Sequence, residues 1–552
     1  MDSHELVQLG GVQAIWQGKR PFIDARTQYG PGQQFVGYKL VQATELSLRG
    51  VRASHLIMNF VTIACFFSLT LFAFGWTVGG AVVLVSLFIS PLQVTSFVGW
   101  GLLVRWFAPF LVGALTPRVL GSTITRGRRY LFCGVIGIAC GALAWMSQEN
   151  GSTSVITMLL VLSGAIILGR LPLRDAFVMT GVFVVSEVAT LLISITWLVG
   201  PEQLGHALEL YRSGSGLVFG GMTNSPWSGA ETFLTQPLAG RGPAYYLIGW
   251  RPSQWISGWG AAYRFTPIIL VGLTALSLYP VRRHAQAGSD KGTGQLLGIL
   301  AAATTLELLT LFRADSTHFI GMSMALAPLM VLSVAYLPAR LSNRGRAREA
   351  IRGTLLLLFF VAYPFLSANT EFRFRTAANI ANTVDGIAVV RQMWGSEKRR
   401  EATSSAGVFL HRLGYRPAAS DPCCRVNKLT YAELQLAMDA MHSATAGRSV
   451  YVDTKGNYSA FKTVASAVYF LADLNVGTTF VEPMMSIWTD TDVIAVRREL
   501  AARPPDCLLS GGPEFVMTGF ILKTFGNYTT YRVPGNLTAN LYCRVDGRRS
   551  RQ

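Results

Sequence analysis

The stretch Ala176–Val199, AFVMTGVFVVSEVATLLISITWLV, holds one ionisable residue, Glu187, in 24. As a helix rising about 1.5 Å per residue it is long enough to cross a hydrocarbon core of about 30 Å. Similar apolar stretches recur near residues 55–75, 78–92, 97–116, 130–147, 153–170, 266–281, 294–312, 318–338 and 353–369. Ten spans are expected. Composition agrees, because 51% of the 552 residues are hydrophobic and only 14% are charged, against about 25% charged in an ordinary globular domain. The excess of 48 Lys and Arg over 30 Asp and Glu gives a net charge of +18, which in a polar fold would suggest nucleic acid. Here the basic residues sit between apolar runs, where they orient membrane spans. A nucleic-acid partner and intrinsic disorder are both excluded on that ground.

The short loops set the expected orientation. Arg118, Arg126, Arg128 and Arg129 lie in one, Arg170 and Arg174 in a second, Arg282, Arg283 and Lys291 in a third, and Arg340, Arg344, Arg346, Arg348 and Arg352 in a fourth. They alternate with loops nearly free of Lys and Arg, such as Gln148 to Thr153. With the basic loops in the cytosol, parity holds at every crossing. Three segments then lie outside it: the first loop, residues 1–54; the Trp-rich loop, residues 201–265; and the tail, residues 370–552. The membrane region is residues 55–369. Because the polar opening stretch has no apolar segment ahead of it, a further span upstream is expected.

The tail reads as a mixed α/β domain. Ser449 to Asp453 and Cys507 to Ser510 are expected strands, Ala465 to Leu474 a helix, and Lys455-Gly456 and Gly511-Gly512-Pro513 turns. Cys423, Cys424, Cys507 and Cys543 all fall in it, while Cys65, Cys133 and Cys140 fall in spans. In an oxidising compartment disulfides are favoured, and since adjacent cysteines pair poorly, Cys507 with Cys543 is the favoured pair; free buried thiols are the other reading. The fold class is therefore a polytopic α-helical membrane protein with a C-terminal α/β domain outside the cytosol.

Two non-cytosolic loops carry more acid, Arg and His than solubility needs. One opens the chain, Met1-Asp-Ser-His-Glu-Leu-Val-Gln8, and continues as Gly18-Lys-Arg-Pro-Phe-Ile-Asp24-Ala-Arg-Thr-Gln-Tyr29-Gly-Pro-Gly32. The other is Phe312-Arg-Ala-Asp-Ser-Thr-His318-Phe319 at the mouth of a late span. An acid, a helix and a G-K-x-P-(Y/F)-x-D-x-x-x-x-Y-G-P-G stretch, with Arg-x-Asp-x-x-His entering a late span and an α/β tail, resemble the bacterial, actinobacterial-type GT-C glycosyltransferases. These are polytopic enzymes that use polyprenyl-phosphate sugar donors.

The resemblance implies hexosyl or pentosyl transfer to a cell-envelope glycan or lipid, at the outer face of the plasma membrane. An acceptor hydroxyl must lose a proton as it attacks, so a carboxylate must lie within reach. By the resemblance Asp2 takes that base position, with His4 and Glu5 beside it; Asp24 is the second catalytic candidate, and a turn-capping role is its alternative. Tyr29 completes the motif on the substrate-binding side. Arg313, Asp315 and His318 stand where a donor phosphate would lie, since Arg offers a bidentate fork for phosphate. A helix-mouth ion pair is the bland alternative for Arg313 and Asp315.

Glu187 and Glu307 lie at membrane depth, where ionisable groups face a cavity or a partner. Gln148-Glu149-Asn150 reads as an outward polar loop. Outward carboxylates are compatible with a divalent metal but give no spacing that demands one, so the lipid-phosphate sugar is the only firm small-molecule expectation. Two other classes compete: a transporter or flippase of lipid-linked sugars, against which no half-repeat is found, and a non-catalytic envelope scaffold.

Overall fold

The computed structural model describes residues 3–26, 30–89, 104, 107–121, 123–216, 290–312, 316–342, 344–367, 407–414, 430–453, 467–481, 490–512, 516–534 and 539–545. Two helices, α1 (Ser3–Trp16) and α2 (Pro31–Thr44), precede the long apolar ones: α3 (Leu48–Ile89), α4 (Phe107–Leu120), α5 (Arg126–Met146), α6 (Gln148–Ile167) and α7 (Leu173–Val199). After α8 (Leu204–Gly216) come α9 (Asp290–Phe312), α10 (Ser316–Leu341) and α11 (Gly345–Ser367). Among the described residues, four stretches have both the length and the hydropathy to cross a membrane, Leu48–Ser86, Arg126–Met146, Gln148–Ile167 and Leu173–Val199, with shorter apolar segments in α4, α9 and α10. Nine of the ten expected spans fall, wholly or in part, on described helices; the stretch 266–281 lies outside the described residues. Large apolar side chains such as Leu131, Phe177, Val185 and Ile193 point out of the bundle, as a lipid-facing surface requires.

The expected break between the first two spans is real. At Gly75 the backbone leaves the helix with φ 80° and ψ 171°, a region that favours glycine. A Cβ on Gly79 would lie 3.0 Å from the Thr70 carbonyl oxygen, so the second arm of α3 packs back along the first. Beside the break, Gln295 of α9 donates to the Ala73 carbonyl at 2.6 Å and accepts from Tyr336 of α10 at 2.7 Å.

Close contacts fix the direction of the other helices. Gly137 and Gly141 of α5 back onto the carbonyls of Phe183 and Glu187 in α7, a small-xxx-small approach between parallel helices. Gly113 of α4 and Gly298 of α9 back onto each other's carbonyls. Thr157 of α6 donates to Thr305 of α9 at 2.9 Å, and Gly164 of α6 meets Leu297 of α9, so these two run antiparallel.

Helix ends therefore sort onto two faces. One holds Gly75, Gln295 and the Arg-rich ends, where Arg126 pairs with Asp175 at 3.0 Å and Arg118 stacks on Phe72. The opposite face holds α1, α2, the start of α3, the α5–α6 turn, α8, the end of α9 at Phe312 and the start of α10 at Ser316.

The tail sits on that second face. It contains α12 (Val408–Leu413), α13 (Tyr431–Thr445), α14 (Asp490–Ala502) and α15 (Val516–Phe525) around strands β1 (Ser449–Asp453), β2 (Asn475–Val476), β3 (Cys507–Ser510), β4 (Tyr528–Arg532) and β5 (Asn540–Arg544). The sheet order is β2-β1-β3-β5-β4, with β1 parallel to β2 and β3, and β5 antiparallel to β3 and β4. Both expected strands form with the expected bounds, 467–471 is helical within the expected 465–474, and Cys507 is disulfide-bonded to Cys543 across β3 and β5. Cys423, Cys424 and the Lys455-Gly456 turn lie outside the described residues.

Alternation along the strands sends Tyr451, Leu508 and Tyr542 to a core with α14 and α15, and Val450, Val452, Leu509 and Leu541 to a core with α12 and α13. That second core also takes in Leu9, Val12 and Ile15 of α1, Val41 of α2 and Leu48, Val51 and Met58 of α3. The first segment is thus a layer of the tail's core, and α3 begins at Leu48, seven residues before the expected start of the membrane region.

Candidate active site at the tail-side face

Residues 18–26 pass between the membrane helices and the tail, held from three sides. From α2, Gln34 accepts the Phe22 amide at 2.8 Å and donates to the Ala25 carbonyl at 3.1 Å. From α7 and α8, Ile195, Val199 and Ala207 enclose Phe22 and Ile23. From the tail, the Thr478 carbonyl accepts Lys19 Nζ at 2.6 Å, the Thr479 carbonyl accepts the Arg26 amide at 2.8 Å, and Arg26 lies over the Phe480 ring. Phe22 has φ 69°, an outlier for a bulky residue that the surrounding structure must hold in place.

Asp24 sits in this loop. Arg20 donates Nε to Oδ2 at 2.7 Å and Nη2 to Oδ1 at 3.0 Å, and its backbone amide reaches Oδ2 at 3.1 Å. The hydrogen-bonded guanidinium holds the carboxyl below the usual carboxylate range. With both oxygens engaged, it is a weak proton acceptor and a strong anchor for Arg20, whose side chain is half exposed. The sequence reading assigned no role to Arg20; its i,i+4 spacing from Asp24 was the available signal. Burial pulls the neighbouring Lys19 ammonium below its ordinary range, against the opposing pull of Glu499 and Asp24.

The Gly30-Pro31-Gly32 end of the motif is tight for a steric reason. A Cβ on Gly30 would lie 2.5 Å from the Trp145 carbonyl oxygen, and one on Gly32 would lie 2.5 Å from the Trp145 ring. The start of α2 is therefore pressed onto the α5–α6 turn. Trp145 also meets Phe35 and Trp197, with ring centroids 6.3 Å away in each case.

Gln148-Glu149-Asn150, expected as a polar loop, is instead the first turn of α6 and is buried. A single residue, Ser147, separates α5 from α6. Asn150 explains the burial: it accepts the Ala108 amide at 3.2 Å and donates to Val104 at 2.7 Å and Leu143 at 3.1 Å, tying three helices. One turn deeper, Glu187 accepts from Ser154 Oγ at 2.7 Å, while Tyr211 of α8 donates to the Ala144 carbonyl at 2.9 Å. Both the Gln148 amide and Glu187 Oε2 are buried without a hydrogen-bond partner.

Of the other candidates, Asp2, Tyr29, Arg313 and Asp315 lie outside the described residues. His4 and Glu5 fall in the first turn of α1 and His318 in that of α10, their side chains outside the description, as is that of Glu307. Both first turns are on the tail-side face. Among the described residues, no group of three or more His, Cys, Asp or Glu side chains gathers to hold a metal.

No protein-family model and no curated protein matches the chain. Two crystal structures of the Archaeoglobus fulgidus oligosaccharyltransferase are similar to it. The apo form aligns at 12% identity over 99% of this chain and 71% of that one, with a TM-score of 0.43. The form tethered by a disulfide to an acceptor peptide aligns at 13% identity over 99% and 70%, with a TM-score of 0.38.

Proposed function

We propose that the chain is an integral-membrane glycosyltransferase of the GT-C type. It transfers a sugar from a polyprenyl-phosphate-linked donor to a cell-envelope glycan or glycolipid, at the outer face of the plasma membrane, by a single inverting displacement. The observation that carries this reading is the setting of the Gly18–Gly32 motif. Its described parts, residues 18–26 and 30–32, are clamped between spans and tail, on the face where α9 ends and α10 begins. A surface loop without function would not need three elements and a strained Phe22 to hold it.

In this mechanism Asp2 takes the acceptor proton, as the resemblance implies. Asp24 acts through Arg20, which it holds in one orientation at the junction. Arg313, with His318 one turn into α10, steadies the charge that develops on the departing lipid phosphate. Carboxylates at this face are compatible with a divalent ion beside that phosphate. The tail supplies the opposite wall and part of the acceptor surface.

The test uses the full chain in proteoliposomes with a polyprenyl-phosphate sugar. Asp2→Asn and Arg313→Ala are each expected to lower transfer by about a hundredfold or more while the protein stays folded. Wild-type rates from both variants would sink the assignment.

A further inference from the structure

The outward side of α7 ends in a charge. Arg174, Phe177, Gly181 and Val185 are spaced by three, four and four residues, which places them on one helix face. Phe177 and Val185 are 70% and 67% exposed, and a Cβ on Gly181 would meet nothing within 4 Å. The face is therefore an apolar ridge with a dip in its middle and an exposed arginine at the end away from the tail. That outline fits an amphiphile with an acyl chain and an anionic head.

A second arginine is held beside it. The buried Asp175 accepts Arg126 Nε at 3.0 Å with one carboxyl oxygen and the Tyr130 hydroxyl at 3.2 Å with the other. The Arg126 side chain is still 65% exposed, so the carboxylate fixes its direction without covering it. Arg126 and Arg174 both lie within electrostatic reach of Tyr130. At this end of α5, α6 and α7 five arginines, Arg126, Arg128, Arg129, Arg170 and Arg174, stand against one acid, Asp175. Orienting a span needs only positive charge, which Lys supplies as well as Arg. Here each of the five is Arg, and no Lys stands between Lys39 and Lys291. A planar guanidinium grips phosphate in two places, where an ammonium makes a point contact.

We propose that Arg126 and Arg174 form a binding site for the headgroup phosphate of an anionic phospholipid in the leaflet away from the tail, with an acyl chain lying along α7 over Gly181. Asp175 is the positioning residue, since it holds Arg126 in place. The surplus of arginine favours a lipid of net negative charge over a zwitterionic one. The site lies on the face opposite the one where sugar transfer is proposed, so it needs the spans and not that reading.

The full-length protein in a neutral detergent is titrated with phosphatidylglycerol, with phosphatidylcholine and with inorganic phosphate, and binding is measured by native mass spectrometry. Phosphatidylglycerol is expected to bind about fivefold more tightly than phosphatidylcholine. Arg174→Gln and Asp175→Asn are each expected to weaken phosphatidylglycerol binding by about fivefold. Gly181→Leu, which fills the dip, is expected to weaken it too, while Arg344→Gln, which alters an exposed arginine outside the site, binds like the wild type. Should Asp175→Asn fail to fold, Arg126→Gln takes its place with the same direction of effect. Inorganic phosphate binding as tightly as the lipid, with no effect of Gly181→Leu, would make the occupant a free anion and overturn the proposal. Equal affinity for the two phospholipids overturns it as well. So does a loss from Arg344→Gln equal to that from Arg174→Gln, because the site would then be only the general charge of the basic helix ends.

Discussion

Arg20 and Asp24 show what a single ion pair can do at a junction. The pair is partly exposed, so its worth in global stability is under about 1 kcal/mol; its effect is local orientation. Asp24 has a folded value below its unfolded one, so its contribution is present at neutral pH and is lost as pH falls through the depressed value. Arg20→Ala is expected to raise the Asp24 titration back toward the ordinary carboxylate range and to speed amide exchange at residues 20–24, both read by NMR. Gly32 makes a steric prediction: Gly32→Val drives a side chain into the Trp145 ring and is expected to cost about 1–3 kcal/mol in a denaturant melt. In the tail, burial pushes the Tyr451 and Tyr469 hydroxyls well above their ordinary range. The neutral hydroxyls stabilise the fold below about pH 10, and that stability is lost at higher pH. Ultraviolet titration should find both tyrosines silent until the tail opens; ordinary ionisation near pH 10 in the folded protein would contradict their burial.

At the scale of elements, the membrane helices are held by close backbone approach and a few polar ties. Gly298→Leu would force α9 from α4 at their mutual carbonyl contact, and the expected result is loss of folded, monodisperse protein in size-exclusion chromatography. Gln295→Leu removes the donor to the Ala73 carbonyl and the acceptor of the Tyr336 hydroxyl, an expected loss of about 1–3 kcal/mol in a denaturant melt. These elements were legible to different degrees. Spans could be read from apolar length alone, and the Gly75 break fell between two of them. The first turn of α6 could not be read this way, because Gln148-Glu149-Asn150 has the composition of a loop. Its burial depends on Ala108 and Val104, which lie 42 and 46 residues from Asn150 in the chain.

Across the whole molecule, the tail and the first segment form one body. β2 is an edge strand, and Gln17 covers it, accepting the Val476 amide at 2.9 Å and donating to the Leu474 carbonyl at 2.9 Å. Gln13 bonds Asp473, which also pairs with Arg412. Gln17→Ala is expected to raise hydrogen exchange at Val476, whose amide loses its acceptor. The Cys507–Cys543 bridge closes 36 residues of separation, and its removal is expected to lower tail stability by about 2–4 kcal/mol.

Most of the apolar spans, strands β1 and β3 of the tail and the loop that bears the motif were legible in the sequence, because apolar length, β-branched runs and turn residues act within a few neighbours. That α1 belongs to the tail's core, and that Arg52 and His55 are turned inward on α3, came only from the folded chain. Those outcomes depend on which distant surfaces meet, and a one-dimensional pattern carries no record of its partners.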